Sequence, residues 1–379
     1  MQNIVLCVFF ICEYVNSSHE GVVSQFNPSS LFGWSSPIIQ APMAGVSTPE
    51  LAAAVSNAGS LGSIGIGASS VDEARQMIAK TRSLTNRAFN VNLFCHEPAL
   101  RDTTKEAAWL QFLAPLFQEM ETSAPTKIDE IYKTFLTDED AFRMLLDHPP
   151  AVVSFHFGIP TADRIAAFRA AGVKTLATAT SLREAALIEA AGIDGIVAQG
   201  VEAGGHRGVF DPDAVDERLS TAVLVRLLAR QTKLPIIAAG GIMDGQGISA
   251  MLELGAAGAQ LGTAFVLCPE SAANPAYRRS LKGERAYTTR LTSVLSGRPA
   301  RGMVNRFILH GESLGSPLPA SYPVAYDAAK RLGAAAGKKD IHEFAAQWAG
   351  QGAPLAREMP AAELISTLLD ELSSISIRS

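Results

Sequence analysis

Charged residues are scarce in this chain. Asp, Glu, Lys and Arg make up 18% of its 379 residues, and the net charge is −5 with no block of basic residues. This balance argues against nucleic acid or an anionic membrane as a partner. The four cysteines are scattered and form no C-x-x-C pair. They predict reduced thiols in a cytoplasmic protein and argue against a disulfide framework or a zinc site.

Basic residues are missing from the N-terminal region, where the first Lys or Arg is Arg75. The apolar run IVLCVFFIC, residues 4–12, is far too short to span a bilayer. A signal peptide or a mitochondrial presequence would need basic residues that this region lacks. We interpret residues 1–30 as an N-terminal extension of unknown role, with a targeting element or an incorrectly assigned start as alternatives.

Hydrophobic residues are abundant, at 47%, and from residue 37 they recur as short apolar runs that alternate with helical patterns. Continuous apolar runs are typical of parallel strands covered on both faces. Strands are predicted at residues 37–45, 61–67, 88–94, 151–158, 173–180, 195–200, 235–241 and 257–265. Helical patterns between and after them cover residues 47–59, 70–81, 109–120, 139–148, 161–172, 181–192, 244–255 and 361–374. Ser or Thr opens several of these patterns and Gly closes them, as expected for helix caps.

Eight β-α units in series predict an α/β fold, the (β/α)8 TIM barrel. A doubly wound open sheet is the alternative, but it usually has fewer strands, and no G-x-G-x-x-G turn follows the first strand. Residues 31–268 would form the barrel, with an insertion at about residues 98–148. That insertion and residues 269–358 would form a helical cap over the substrate, and residues 359–379 a helix that returns to the barrel wall.

The residues that end the apolar runs carry the functional information, because the active site of a barrel lies at the carboxyl ends of its strands. Here they are polar, uncharged and rich in glycine, without a cluster of metal-ligand spacing or a pair of catalytic carboxylates. Glycine ends the last two runs, and a helical segment follows each. Backbone N–H groups at such places bind phosphate, for which Gly241, Gly262 and Thr263 are candidates. Tight turns without a ligand are the structural alternative.

Flavin mononucleotide (FMN) is the cofactor that this rim suits best, since the sequence has no Walker loop or dinucleotide motif. The amides that could hydrogen-bond its ribityl chain and ring edge are those of Asn92, Gln199 and Gln260. Glycines at positions 204 and 205 would let a flat ring approach the backbone. This arrangement would place His206 beside the ring.

Five stretches of the chain resemble class I members of the nitronate monooxygenase family, formerly called 2-nitropropane dioxygenases. They are QAPMAGVSTPELAAAVSNAGSLGS, FNVNLF, IVAQGVEAGGHRG, PIIAAGGIMDGQGISAMLELGAAGAQLGTAF and LSGRPARGMVNRF. The resemblance implies an FMN-dependent monooxygenase that oxidises alkyl nitronates, such as propionate 3-nitronate, with oxygen to a carbonyl compound and nitrite. One-electron transfer and a flavosemiquinone are part of that implied mechanism, and detoxification of nitroalkanes is the implied role. The implied partners are the nitronate and oxygen, in a monomer or homodimer.

The resemblance also implies the site residues. The implied FMN contacts are Met43, Asn92, Gln199, Gly204, Gly241, Gln260, Leu261, Gly262 and Thr263. His206 is the implied catalytic residue, as a base or only as a hydrogen-bonding group. The implied substrate contacts are His156, Tyr277, Tyr322, Tyr326 and Lys330. For His156, core packing is the alternative.

The spacing of Tyr322, Tyr326 and Lys330 at i, i+4 and i+8 independently predicts one face of a helix, with Pro323 in its first turn. Hydroxyl and ammonium groups on one face could bind an anionic substrate. A solvated helix face is the structural alternative.

Two other functions remain open. One is an FMN-dependent NAD(P)H reductase of the same fold that acts on an enoyl thioester or a quinone. The other is a barrel that binds FMN or phosphate without catalysis. Anaerobic mixing with NADH, NADPH or propionate 3-nitronate would distinguish the three, because only a true reductant bleaches the flavin.

Overall fold

Eight parallel strands form a closed barrel in the structure, a computed structural model that describes residues 35–376. Each barrel strand overlaps one of the predicted strands, so the predicted TIM barrel is confirmed. The predicted extension, residues 1–30, lies outside the described residues, as do Cys7 and Cys12. In chain order the strands are β1 (Ile38–Gln40), β2 (Gly62–Gly65), β3 (Phe89–Phe94), β4 (Val152–His156), β5 (Lys174–Ala179), β6 (Gly195–Gln199), β7 (Gly205–His206), β8 (Ile236–Ala239), β9 (Gly258–Leu261), β10 (Thr289–Thr292) and β11 (Ala300–Met303).

The barrel strands follow the order β1-β9-β8-β6-β5-β4-β3-β2. A single parallel bridge between Ile39 and Leu61 joins the two ends of this order. The Gln40 N–H also donates to the Leu61 carbonyl, at 2.9 Å. The ring is therefore closed, and the carboxyl ends of all eight strands meet at one rim.

Helices cover the outside of the barrel and extend above it. They are α1 (Pro49–Asn57), α2 (Val71–Leu84), α3 (Thr103–Glu119), α4 (Glu139–Asp147), α5 (Ala162–Ala170), α6 (Leu182–Ala190), α7 (Thr221–Leu228), α8 (Gly245–Glu253), α9 (Pro275–Lys282), α10 (Arg306–Gly311), α11 (Val324–Gly337) and α12 (Ala361–Ser376). Hydroxyls of Ser70 and Ser181 cap helices as predicted. At α1 the cap is Thr48, one residue after the predicted Ser47, and the Thr161 hydroxyl makes no cap bond. No helical pattern was predicted for α7, which Ser220 caps.

Separate hydrophobic cores lie between the strands and their surrounding helices, inside the barrel and in the cap. The barrel interior is filled by Ile39, Leu61, Val152, Leu176, Val197 and Ile237. The cap has its own core where α3 meets α10 and α11, formed by Trp109, Leu113, Phe307, Leu332 and Phe344. Each of these cap side chains is fully buried, which stabilises the fold by about 1.5–3 kcal/mol per side chain.

The C-terminal helix α12 packs against α1 and α8 on the barrel wall. Its Leu364, Ile365 and Leu368 are fully buried. Glu371 accepts a hydrogen bond from the N–H of Gly245 at the start of α8, at 2.8 Å. Within residues 35–376, no helix combines the length and the apolar character needed to cross a membrane.

A small antiparallel sheet, in the order β10-β11-β7, connects the cap to the rim. Its strand β7 contains only Gly205 and His206 and follows β6 after a loop of residues 200–204. The hairpin of β10 and β11, residues 289–303, pairs with it, with Ala300 opposite His206. This sheet was not predicted, and it fixes the backbone on which His206 lies.

Candidate active site

A cavity of about 860 Å³ opens at the carboxyl ends of the barrel strands. Its walls are the strand ends, the loop after β1, helices α9 and α11 of the cap, and residues 346–352, which we call the closing segment. The volume lies within the range of about 300–1,000 Å³ that is usual for ligand and cofactor sites. The cavity is therefore the candidate site, at the rim where the sequence places its polar strand ends.

Most of the predicted site residues line this cavity. They are Met43, Asn92, His156, Gln199, Gly204, His206, Gly241, Gln260, Gly262, Thr263, Tyr277, Tyr326 and Lys330. Leu261 does not line it, because its side chain is buried among the hydrophobic residues between the barrel and its helices. Tyr322 does not line it either, and lies behind the ring of His206, with the ring centroids 5.4 Å apart. Helix α11 begins at Val324, so Pro323 precedes it as the N-cap residue and does not lie in its first turn as predicted. Tyr322 also precedes the helix, and only Tyr326 and Lys330 share a helix face.

Three aromatic residues that were not predicted also line the cavity, namely Phe94 at the end of β3, Tyr132 and Trp348. Tyr132 reaches it from the insertion, and the Lys330 Nζ atom lies 5.0 Å from the centroid of its ring. Trp348 belongs to the closing segment, with its ring centroid 5.2 Å from that of His206. Tyr132 and Trp348 lie far along the chain from the strand ends and carry no local pattern. No sequence signal distinguishes them from ordinary core aromatics.

The glycine-rich loops form a cradle of backbone groups below the closing segment. Gly241 has a φ of +70°, a conformation that glycine adopts without strain. The N–H groups of Gly241 and Thr263 donate to no acceptor within residues 35–376. A Cβ atom on Gly204 would lie 2.5 Å from the nitrogen of Gly350, and the N–H of Gly350 donates to the Thr263 hydroxyl, at 3.0 Å. The cradle therefore offers free donors to an anion in a space that extra carbon atoms would close.

Three amide side chains, those of Asn92, Gln199 and Gln260, line the same cavity as the cradle and His206. Gln199 donates to the His206 carbonyl at 3.0 Å, and Asn92 donates to the Ser154 hydroxyl at 2.9 Å. These bonds fix both side chains at the cavity wall. The Gln260 amide makes no hydrogen bond to any residue from 35 to 376 and is free to bind a ligand.

His206 is held from several sides. Aromatic rings whose centroids lie 5.2 to 6.0 Å from its own are those of Phe157, Tyr322, Tyr326 and Trp348. Its Nε2 atom lies 2.9 Å from the Ser296 hydroxyl. His156 contacts the same segment, since its Nε2 lies 3.1 Å from the His206 carbonyl and its Nδ1 lies 3.0 Å from the Thr178 hydroxyl. The orientation of both rings is therefore fixed before any ligand binds.

Two charged side chains of the described residues line the cavity, the carboxylate of Glu73 and the ammonium of Lys330. Lys330 lies at the mouth, above the rings of Tyr132 and Tyr326, and partial burial of its ammonium lowers its pKa. Within the described part of the chain, no group of three His, Cys, Asp or Glu side chains is placed to hold a metal ion.

Three histidines near the cavity are neutral in the folded protein. Burial lowers the pKa of His96 and that of His156 to about 4, and it lowers the pKa of His206 to about 3. In an unfolded chain each would titrate near pH 6.5. Below that pH the unfolded state therefore binds more protons than the folded state, and stability falls as the pH falls.

Lowering the pH from 6.5 towards 4 should reduce the free energy of unfolding by up to about 1.4 kcal/mol per pH unit for each of these histidines. Denaturant titrations at a series of pH values, with any ligand in fixed excess, measure this slope. In His96→Phe an aromatic ring still packs against Tyr322, which contacts the His96 ring edge-on at 5.0 Å. In this variant the free energy of unfolding should depend less steeply on pH, by the contribution of one histidine. A slope identical to that of the wild type would contradict the prediction.

Known proteins resemble this chain along nearly its whole length. A sequence model of the nitronate monooxygenase family matches residues 28–371. A nitronate monooxygenase of Paraburkholderia phytofirmans is 57% identical, over 90% of this chain and 93% of that protein. A nitronate monooxygenase of Pseudomonas aeruginosa is also 57% identical, over 90% of this chain and 97% of that protein. A solved structure of nitroalkane oxidase from Streptomyces ansochromogenes is 40% identical with a TM-score of 0.85, and the match covers 92% of this chain and 99% of that one.

These matches cover the barrel, the cap and the cavity together. They agree with the resemblance that the strand-end motifs carry. The chain therefore belongs to the nitronate monooxygenase family of oxidoreductases.

Proposed function

We propose that this chain binds FMN in the cavity and oxidises alkyl nitronates with oxygen to a carbonyl compound and nitrite. The observation that carries the proposal is the combination of an anion cradle, a free amide and an aromatic pocket around His206 in one cavity. FMN, when bound, supplies one-electron oxidation of a substrate that is already electron-rich. The residues of the chain supply binding, orientation and exclusion of water.

The cradle fits the phosphate of FMN. Among residues 35–376, the N–H groups of Gly241 and Thr263 have no acceptor, and both suit a phosphate monoester. The amides of Gln199 and Gln260 suit the polyol chain and the polar edge of the ring. Gly204 lets the closing segment approach the loop after β6 closely, because a Cβ atom there would lie 2.5 Å from the Gly350 nitrogen. Met43 lines the same part of the cavity.

The aromatic pocket fits the substrate. Tyr326 and Tyr132 flank the ammonium of Lys330, which supplies a positive charge for the carboxylate of a substrate such as propionate 3-nitronate. The Tyr277 hydroxyl donates to the Trp348 carbonyl, so Tyr277 also holds the closing segment over the cavity. Tyr322 has no contact with the cavity, and its role is to pack behind His206.

Replacing Lys330 with alanine should raise KM for propionate 3-nitronate about fivefold, since an exposed ion pair contributes at most about 1 kcal/mol. The carboxylate of that substrate is the group expected to contact the ammonium. KM for an alkyl nitronate of similar length should change less than about twofold. Steady-state oxygen uptake with both substrates measures the difference. Lys330→Arg, which keeps the charge, is the control. Equal effects on the two substrates would remove the proposed role of Lys330.

The absorbance spectrum of the purified protein tests the proposal directly. A flavin spectrum, with oxygen uptake and nitrite release on addition of propionate 3-nitronate, is the expected result. Anaerobic mixing with NADH or NADPH tests the alternative that the protein is a reductase. The flavin of a reductase would be bleached by the nicotinamide cofactor and not by the nitronate. A colourless protein that does not bind added FMN would contradict the proposal.

A further inference from the structure

The hairpin of β10 and β11 contains the SGRPARG motif, to which the proposed function assigns no role. Strand β11 pairs with β7, so that Ala300 lies opposite His206, and the Arg207 N–H donates to the Pro299 carbonyl, at 2.8 Å. The hairpin thus fixes the backbone of His206 from one side. Its turn also brings Ser296 against the imidazole of His206.

The turn that carries Ser296 is rigidly placed. Gly297 has a φ of +85°, and a Cβ atom there would lie 2.2 Å from the Ala320 carbonyl oxygen and 2.7 Å from the Tyr322 nitrogen. Only glycine fits between these backbone groups. The turn is therefore packed against the segment that precedes α11, and Ser296 is fully buried.

The hydrogen bonds of Ser296 assign the proton on His206. A carbonyl oxygen only accepts, so the Ser296 hydroxyl donates its one hydrogen to the Arg298 carbonyl, at 3.0 Å. The Arg298 N–H donates to the same hydroxyl at 3.4 Å. The remaining contact, 2.9 Å to the His206 Nε2 atom, then requires Nε2 to be the donor. The Ser296 hydroxyl then uses its one donor site and both of its acceptor sites.

The other ring nitrogen of His206 is open to the cavity. Nδ1 makes no hydrogen bond to any of residues 35–376. Both ring nitrogens of His96 are sealed from solvent without a partner, but Nδ1 of His206 is not among such sealed atoms. His206 also lines the cavity. Nδ1 is therefore the ring nitrogen that a ligand can contact.

We infer that Ser296 is a positioning residue that holds His206 as the Nε2–H tautomer, so that Nδ1 presents a lone pair to the cavity. The identity of the ligand in the cavity rests on the proposed function, but the tautomer does not. The consequence concerns the two roles that are open for His206. An unprotonated Nδ1 accepts a hydrogen bond or a proton and donates neither. If a neutral nitroalkane is bound, the α-proton passes to Nδ1, and the electron pair of the C–H bond stays on the substrate as the nitronate.

His156 provides an internal reference for the same measurement. Its Nε2 contacts the His206 carbonyl, so Nε2 carries the hydrogen, and its Nδ1 accepts from the Thr178 hydroxyl. His156 makes no contact with the Ser296 hydroxyl. Its tautomer should therefore be Nε2–H whether or not that hydroxyl is present.

Long-range 1H–15N correlation spectra of the full chain, labelled with [15N]histidine and loaded with flavin, report the tautomer of each ring. Loss of signals in His206→Gln and in His156→Gln assigns the two residues. The expected result is the Nε2–H form for both in the wild type. In Ser296→Ala, His206 should become a mixture of tautomers, or the Nδ1–H form, and His156 should be unchanged. Ser293→Ala removes a hydroxyl of the same turn that bonds to none of residues 35–376, and it should leave both spectra unchanged.

Turnover supplies the second measurement. Flavin-loaded Ser296→Ala should lose about tenfold in kcat with a neutral nitroalkane, whose α-proton Nδ1 would accept, and Ser293→Ala should lose none. An Nδ1–H form of His206 in the wild type would overturn the inference, and so would a tautomer that does not respond to Ser296→Ala. Failure of the proposed function would look different, because a wild-type protein without nitronate turnover would still give the Nε2–H spectrum.

Discussion

Replacing His206 with alanine should leave a yellow, flavin-loaded protein whose kcat with a neutral nitroalkane, which must first lose its α-proton, falls about 100-fold or more. A residue that moves a proton or hydrogen-bonds the reacting group is typically worth a factor of about 10²–10⁴. The imidazole lines the cavity, and its contacts to the protein are aromatic packing and the bond to Ser296. The cradle at Gly241 and Thr263 does not include it. Flavin binding should therefore survive its removal.

The measurement is oxygen uptake at matched flavin content, determined from the absorbance of each preparation. His148→Ala is the control, because His148 is exposed at the end of α4 and does not line the cavity. Near-normal turnover of His206→Ala would show that His206 packs at the site without acting there. Loss of colour together with activity would instead mean that His206 supports the cofactor.

Replacing Gly204 with alanine should produce the second large effect, a fall in FMN affinity of about 10- to 100-fold. The new methyl group would lie 2.5 Å from the Gly350 nitrogen and 2.6 Å from the Ala349 carbonyl carbon. Both neighbours are backbone atoms, so the closing segment itself must move. Overpacking of this kind costs about 1–3 kcal/mol. If this cost arises only in the FMN-bound form, it corresponds to the expected fall in FMN affinity.

Titration of the flavin-free variant with FMN, followed by quenching of flavin fluorescence, measures the change. Gly337→Ala is the matched control, because a Cβ atom there would have no neighbour within 4 Å. It should bind FMN like the wild type. Unchanged affinity in Gly204→Ala would mean that the closing segment moves freely and does not shape the cofactor site.

The barrel could be predicted from sequence because its strands are buried on both faces. Val152 to Phe155 and Ile236 to Ala239 are continuous buried runs that only a covered parallel sheet explains. The small sheet could not be predicted, since β7 has two residues and one is glycine. Helix α7 was not predicted, because residues 208–220 before it contain no apolar run that indicates a strand followed by a helix.

The part of the candidate site that lies at the ends of the barrel strands could be predicted from the sequence. Gln199, Gly241 and Gln260 all lie within two residues of a barrel strand, and all line the cavity. Residues that the cap contributes, such as Tyr132 and Trp348, depend on how distant segments fold over the rim. Their positions follow from packing between parts of the chain far apart in sequence, for which a single sequence holds no signal.

The closing segment has a consequence for the order of events in the cell. Residues 346–352 complete the roof of the cavity, and Gln351 donates to the Glu202 carbonyl across it, at 2.9 Å. A chain still emerging from the ribosome can form barrel strands early, since synthesis proceeds from the N-terminus. It cannot enclose a ligand until residues 346–352, which lie far beyond the last barrel strand β9, have folded back over the rim. Enclosure of the cavity is therefore a late step in folding, which comes after the barrel has formed.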